Sequence, residues 1–327
     1  MTHISHRRRS LTAGLMALAV QTPVWSADTF PAKPLRLVVP FGSGGANDVL
    51  ARLLADQLSR RLGQVVVVEN RAGAGGNIGA ENAAKSAPDG YNLFWAQAAT
   101  HGINPAIYKR LGFDPVRDFA SVALVGQAPL VFMARPEGRV KSLTELIALA
   151  KAAPDSLVYA TGGVGTSLHV AGELFKSMAQ VSILHAAYKG GNGPVTDAIA
   201  GHVDLVIDGL QSGIRFIKSG QLIPLAVTSK ERLPGLPKTP TIGETIPGYE
   251  ALTWSAVAAP AGTPAPVINA LNREINAAVQ LVTLRERFQD LYVTPTGGTP
   301  EAMDKFVRSE LVKWKRIAVE RNITAES

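Results

Sequence analysis

The sequence of 327 residues contains no cysteine and few aromatic residues. Without cysteine, the protein has no disulfide, no thiol nucleophile, no thiolate metal ligand and no lipid-modified N-terminal cysteine. Lysines and arginines are scattered instead of forming a basic stripe, which argues against nucleic-acid binding. Paired carboxylates for acid–base catalysis, a His-Glu-x-x-His motif and a Gly-x-Ser-x-Gly elbow are also missing. We therefore expect no catalytic residue, no bound metal and no cofactor.

The N-terminus has the pattern of a signal peptide. Arg7, Arg8 and Arg9 precede the short apolar segment 11–20, which is followed by the small-residue site Val24-Trp-Ser-Ala27. No segment of the chain is long and apolar enough to predict a membrane-spanning helix. Residues 1–27 are therefore predicted to be removed on export, by the general secretory or the twin-arginine route. The three arginines leave with this segment, so the formal charge falls from +7 to +4, and the mature protein is expected in the periplasm.

Residues 35–62 predict a strand, a glycine-rich turn and a helix. The strand is the apolar run 35–39, and the helix has five leucines at helical spacing before Gly63, a candidate C-terminal cap. The turn contains three glycines followed by Asn47 and Asp48, and either of these two residues is a candidate N-terminal cap. Free backbone N–H groups and the helix dipole make such a turn an anion cradle, although a turn without a ligand fits the pattern equally well.

A second unit of this kind follows in the other half of the chain. Residues 157–161 predict a strand, residues 162–169 a glycine-rich turn and residues 170–179 a helix. Between the two units, four consecutive valines at 65–68 predict a strand buried on both faces. The glycines of residues 73–79 imitate a dinucleotide fingerprint but have the wrong spacing. Alternating strands and helices predict an α/β protein, and the two turns predict an anion-binding cleft between two lobes.

Several polar residues leave alternatives open. His169, at the start of the second helix, fits a ligand contact or a capping role. Ser43 and Ser167 lie in the two turns, where their hydroxyl groups suit an anion or, less well, the nucleophile of a hydrolase. Asp48 and Asp208 lie at turn or strand ends, and helix capping is the simpler role for Asp48. None of the six histidines pairs with another at the spacing of a metal site.

Short segments along the whole mature chain are similar to the periplasmic solute-binding receptors of tripartite tricarboxylate transporters, the Bug receptors. The matching segments include residues 67–79, Lys33-Pro-Leu-Arg-Leu-Val-Val-Pro-Phe41, Pro88-Asp-Gly-Tyr91, Gly165-Thr-Ser-Leu-His169, Tyr188-Lys-Gly190 and Ala259-Pro-Ala-Gly-Thr-Pro264. So many matches in one order are specific for the family. The family often has proline where this chain has Gly42, Ser43 and Ala187, so the ligand preference of relatives does not transfer.

The resemblance implies an α/β fold with two lobes, the Venus flytrap of type II-like periplasmic binding proteins, with two crossovers near residues 125–133 and 252–257. Lobe 1 would comprise residues 28–130 and 253–327, and lobe 2 residues 131–252. Such a receptor is a monomer that binds a small carboxylate between its lobes and presents it to membrane transporter subunits. Matched by position, the ligand-binding residues would be Phe41, Ser43, Gly44, Gly45, Asn47, Asp48, Gln97, Ala98, Thr100, Gly163, Gly165, Thr166, Ser167, His169, Tyr188 and Asp208.

Two other functions stay open. One is an exported α/β hydrolase that uses Ser43 or Ser167, and the other is a ligand sensor that is not coupled to transport. The ligand also stays open among aliphatic di- and tricarboxylates, amino acids, nicotinate and aromatic diacids. Backbone amides recognise a carboxylate without reading the group that it is attached to.

Overall fold

The computed structural model describes residues 30–320 and 322–325, so the predicted signal peptide lies outside the described part of the chain. The strands are β1 (Leu35–Val39), β2 (Val66–Asn70), β3 (Asn92–Gln97), β4 (Phe119–Ala134), β5 (Val158–Thr161), β6 (Leu184–Ala187), β7 (Leu205–Gly209), β8 (Ile223–Val227), β9 (Leu252–Pro260) and β10 (Thr294–Pro295). The helices are α1 (Ala46–Leu62), α2 (Asn77–Ala84), α3 (Asn104–Ile107), α4 (Leu143–Ala152), α5 (Ser167–Ala179), α6 (Gly193–Ala200), α7 (Leu210–Lys218), α8 (Ile242–Thr245), α9 (Ala265–Val279), α10 (Val282–Asp290) and α11 (Pro300–Glu320). A 3₁₀ turn, Ala74–Gly76, precedes α2, and a π turn, Ala99–Ile103, precedes α3.

The strands form a sheet in the order β2-β1-β3-β9-β4-β7-β5-β6, and β8 and β10 also pair with β4. Strands β1, β2 and β3 are parallel, as are β5, β6 and β7, whereas β4 and β9 run antiparallel to their neighbours. The long strand β4 belongs to both halves: it pairs with β9 as far as Pro129 and with β7 from Leu130 onwards. The chain therefore has the predicted α/β architecture, with two lobes joined through β4 and β9.

Helices cover both faces of the sheet in each lobe. In the first lobe, α1, α9 and α10 pack on one face, and α2, α3 and α11 pack on the other. In the second lobe, α4, α5 and α8 cover one face, and α6 and α7 cover the other. This three-layer arrangement buries large side chains such as Trp95, Phe132 and Tyr159. Within the described residues, the helices are too short or too polar to cross a lipid bilayer.

Strand β2 differs from its prediction. The valines at 65–68 do not form a strand buried on both faces, because β2 lies at the edge of the sheet and pairs with β1 alone. Val65 and Val67 are 59% and 51% exposed, whereas Val66 is buried and Val68 packs against the core. Successive side chains of a strand point to opposite faces, so these valines alternate between core and solvent.

The start of α1 also differs from its prediction, whereas its end does not. The N-cap is Gly45, which offers no side-chain cap, and Asn47 and Asp48 lie inside the first turn. The expectation that one of these two residues caps α1 is therefore wrong. At the other end, Gly63 adopts the left-handed conformation with φ of 66°, as expected for a C-terminal cap.

Candidate functional site

A cleft opens between the two lobes, beyond the carboxyl ends of β1, β3, β5 and β7. It encloses about 870 Å³ of space, which includes its open mouth. The loops that follow β1, β5, β6 and β7 supply most of its walls. Ligands of open α/β sheets bind at this edge.

The first-lobe wall is the turn between β1 and α1, and hydrogen bonds hold it in place. The carboxylate of Asp48 accepts bonds from Gly44 N–H and Asn70 Nδ2, each at 2.9 Å, and from Arg52 Nε at 3.0 Å. Asn70 Nδ2 also donates to the carbonyl oxygen of Phe41 at 2.9 Å. These hydrogen bonds brace the turn.

Two polar side chains at the start of α1 make hydrogen bonds that hold this turn. Burial acts to raise the pKa of Asp48, but hydrogen bonds from Arg52, Gly44 and Asn70 outweigh it and hold the pKa below its usual range. Asp48 is thus ionised, with Arg52 as its counter-ion. The side chain of Asn47 accepts a hydrogen bond from Trp95 Nε1 at 3.1 Å, which ties the first turn of α1 to β3.

The second-lobe wall is the turn between β5 and α5. Thr166 is the N-cap: its Oγ1 accepts from His169 N–H at 3.2 Å and donates to Gly163 O at 2.7 Å. Gly165 N–H donates to Nδ1 of His169 at 3.4 Å, and the His169 ring stacks on His185 with centroids 4.6 Å apart. Burial lowers the pKa of His169, so its ring is neutral near pH 7 and brings no positive charge to an anion.

Several polar atoms on the walls are free to bind a ligand. Gly45 gives α1 no side-chain cap, so the first N–H groups of that helix stay unclaimed. The buried atoms Gln97 Nε2, Ser167 Oγ and Gln211 Oε1 have no hydrogen-bond partner among the described residues. All three residues line the cleft. Buried polar atoms without partners are rare in folded proteins, so these atoms mark a place for a ligand or water.

The charges of the cleft are unusual for an anion site. Asp208 is the one charged side chain among the described lining residues, which include no lysine and no arginine. Burial raises the pKa of Asp208 to about 6. In the described part of the chain, no group of three or more histidine, aspartate or glutamate side chains is arranged to hold a metal ion. An anion in this cleft would be bound by helix N-termini and neutral donors.

The two lobes touch beside the cleft, where Tyr108 meets the turn between β5 and α5. Tyr108 in the first lobe donates a hydrogen bond of 3.4 Å to Val164 O in the second. A Cβ atom on Gly165 would lie 2.5 Å from Tyr108 Oη, and one on Gly75 would lie 3.1 Å from Val164 O. This close approach of the lobes therefore depends on glycine at both positions.

The model of the tripartite tricarboxylate transporter family receptor matches residues 50–323. The chain belongs to this receptor family. Protein BugT of Bordetella pertussis is 38% identical over 311 residues, which cover 94% of each chain. The resemblance of the sequence to the Bug receptors is thus confirmed.

Solved structures of similar proteins share the receptor's fold. A Rhodopseudomonas palustris structure, Rpa4515 with adipate, is 36% identical with a TM-score of 0.87, covering 90% of this chain and 99% of the other. MatC from the same organism with bound malate is 29% identical with a TM-score of 0.83, covering 88% and 99%. The predicted fold of periplasmic binding proteins is confirmed by these likenesses.

Half of the predicted site residues line the receptor's cleft: Phe41, Gly44, Gly45, Asn47, Gln97, Thr166, Ser167 and Asp208. Gly163 and Tyr188 line a neighbouring groove instead. Ser43 is exposed and outside the cleft lining. The others lie outside this lining and are tied into the structure by their neighbours: Asp48, Ala98, Thr100, Gly165 and His169.

The cleft also has walls that sequence reasoning missed. They come from the loops after β6 and β7 and from strands β4 and β9: Gly190, Gly191, Asn192, Pro194, Gly209, Gln211, Ser212, Leu130 and Thr253. A signal for the loops was present, because segment 189–194 predicts a turn into a helix and Asp208 ends a predicted strand. Their place in the site depends on the strand order β7-β5-β6, which brings three carboxyl ends together.

Proposed function

We propose that this protein is a receptor that closes around a small organic carboxylate in the periplasm and presents it to the membrane subunits of a tripartite transporter. It acts as a monomeric binding protein without enzymatic activity. Residues 1–27 direct export and are removed. Lobe 1 comprises residues 28–130 and 253–327, and lobe 2 comprises residues 131–252. One observation carries the proposal: the starts of α1 and α5 line one cleft, whose described lining offers neutral hydrogen-bond donors and no cationic side chain.

The carboxylate is bound mainly by backbone groups. Its oxygens accept hydrogen bonds from the N–H groups in the first turns of α1 and α5, and from Gln97 Nε2 and Ser167 Oγ. The two side-chain donors have no other partner in the described chain, and the first N–H groups of α1 have no side-chain cap. At the start of α5, the side chain of Thr166 takes up the N–H group of His169. A bond from a fixed donor to an ionised acceptor is strong because no donor has to be reoriented. The relatives with bound adipate and malate support a carboxylate ligand.

Closure of the lobes is the signal to the transporter. A ligand that contacts both the β1–α1 turn and the β5–α5 turn has more contacts in the closed state than in the open state. This difference in contacts shifts the population toward closure. The hydrogen bond from Tyr108 to Val164 O supports a meeting point of the lobes at the turn between β5 and α5.

The test is thermal unfolding of the purified protein against mono-, di- and tricarboxylates and amino acids. Any ligand acquired from the host is first removed by unfolding in urea and refolding. A ligand at about 100 times its dissociation constant should stabilise the folded state by roughly 2.7 kcal/mol, which raises the midpoint by several degrees. A panel without any shift would contradict the receptor function.

A pair of variants locates the site. Ser167→Leu places a bulky side chain in the cleft and should abolish the ligand-induced shift, whereas the unfolding midpoint without ligand should change little. Ser219→Leu is the matched control, because Ser219 is exposed in the same lobe and lies outside the cleft lining. Retained affinity in Ser167→Leu would place the ligand elsewhere.

The hydrolase function is less well supported. A serine nucleophile needs a general base within hydrogen-bond reach. Ser167 Oγ has no hydrogen-bond partner in the described chain, and the nearby His169 accepts a bond from the backbone of Gly165. Ser43 is exposed outside the cleft lining. The sensor function shares the binding site of the receptor and differs from it only in the partner of the closed state.

A further inference from the structure

The cleft offers acceptors as well as donors. Asp208 near the carboxyl end of β7 is the one charged side chain of its described lining. Its Oδ1 accepts a hydrogen bond from Gly209 N–H at 2.7 Å. The neighbouring Gln211 contributes Oε1, a buried acceptor with no partner among the described residues. A ligand that carried only carboxylate groups would leave Gln211 Oε1 without a donor and would give Asp208 no charge partner in the cleft.

The donor Gln97 and the acceptor Asp208 come from separate parts of the sheet. Gln97 ends β3 in the first lobe, and Asp208 lies on β7 in the second. Strands β9 and β4 stand between them in the sheet. A ligand that bridges the lobes can thus place a carboxylate against the donors and a different group against Asp208.

Electrostatics decide what that second group is. An additional carboxylate beside Asp208 would meet a like charge in a cleft without lysine or arginine in its described lining. A protonated amine would meet an opposite charge and would donate to the free oxygen of Gln211 as well. Burial raises the pKa of Asp208 to about 6, with only partial compensation from Ser212, Gly209 and Arg215. A cation from the ligand would place a charge partner inside the cleft, where the described lining offers none.

We propose that the ligand is an amino acid whose ammonium group is bound by Asp208 and Gln211, while its carboxylate is bound by the helix N-termini. This inference rests on the proposed receptor function and names the substrate class of the same cleft. Asp208 is then the residue that separates amino acids from acids of the same length and shape that lack the amine.

The test compares matched pairs of ligands by calorimetric titration of the refolded protein at about pH 7.5. Each pair is an amino acid and its counterpart without the amine: aspartate and succinate, glutamate and glutarate, leucine and 4-methylpentanoate, phenylalanine and 3-phenylpropanoate. In the pair that fits the cleft best, we expect the amino acid to bind about tenfold or more tightly, since a hydrogen-bonded charge pair contributes that much.

Asp208→Asn keeps the size of the side chain and removes its charge. It should weaken binding of the amino acid by about tenfold or more. Binding of the counterpart without the amine should stay unchanged or become tighter. Gln211→Leu, which removes the second acceptor, should also weaken binding of the amino acid. Asp290→Asn is the control for net charge, because Asp290 is exposed on α10 and lies outside the cleft lining. It should change the affinity for neither ligand.

The outcomes separate the two proposals. If the counterpart without the amine binds more tightly and Asp208→Asn does not affect it, the receptor function stands and the amino-acid inference is overturned. If neither member of any pair binds, both proposals fail. If the amino acid binds tightly but equally well to Asp208→Asn and Gln211→Leu, the assignment of these acceptors is overturned.

Discussion

Replacement of Asp208 by asparagine should stabilise the ligand-free protein in a pH-dependent way. Burial raises the pKa of Asp208 to about 6, whereas the ordinary value for aspartate is 3.8. Between these two values the folded chain holds a proton that the unfolded chain has released. The contribution of Asp208 to the free energy of unfolding is therefore most favourable below about pH 4, and it is lost as the pH rises through about 6.

The magnitude follows from the same shift. A difference of about two units between the folded and unfolded pKa corresponds to about 3 kcal/mol of destabilisation once the carboxyl is ionised in both states. Asparagine has nearly the same shape and no charge, so it escapes this cost. The variant should match the wild type near pH 4 and exceed it by up to about 3 kcal/mol near pH 7.5.

The assay is urea unfolding of both proteins, without ligand, at several pH values between about 4 and 8. The quantity compared is the difference in the free energy of unfolding between variant and wild type, plotted against pH. Asp290→Asn serves as control and should give a flat line, because this carboxylate is exposed. A variant that is equally stable or less stable at pH 7.5, or a gain that is independent of pH, would refute the reasoning.

Three further changes have defined outcomes. Gly165→Ala should weaken ligand binding, measured by calorimetry, by about tenfold, since overpacking against Tyr108 costs about 1–3 kcal/mol. The φ of +77° at Gly165 also disfavours a side chain. Unchanged affinity would show that the lobes need not approach this closely. Asp48→Ala should lower the free energy of unfolding in urea by about 2–4 kcal/mol, because three donors lose their acceptor. A loss below about 0.5 kcal/mol would contradict the role of Asp48 in bracing the turn. Trp95→Phe should cost about 1–2 kcal/mol in the same assay by leaving Asn47 Oδ1 unpaired, and a neutral effect would mean that water replaces the indole.

Local sequence was a good guide where a short segment carries all the information. The run 35–39 became β1 with the predicted bounds, and Gly63 ended α1 in the left-handed conformation. The same reasoning misjudged the valines at 65–68, because identical residues suit a central or an edge strand and only the neighbours differ. It also placed the cap of α1 too late, because Gly45 leaves the N–H groups of that helix uncapped by any side chain.

For the candidate site, sequence reasoning identified the two glycine-rich turns but not which of their residues would face the cleft. Asp48 and His169 lie beside the right loops, yet their polar groups are used to hold those loops. The side-chain direction at the start of a helix depends on hydrogen bonds from distant residues such as Asn70, 22 positions away from Asp48. No local pattern records such a partner.

The sequence by itself predicted the α/β fold class and the two glycine-rich turns, because hydrophobic periodicity and glycine spacing act over a few residues. Its resemblance to known receptors indicated the family. Only the tertiary structure decided what those turns enclose. Pairing of β4 with β9 and β7 joined the lobes, and the loops after β6 and β7 entered the cleft with Asp208 and Gln211. Burial then gave Asp208 its raised pKa. Charge, burial and access at one point in space depend on contacts between residues far apart in the chain, so they emerge only when the sheet is assembled.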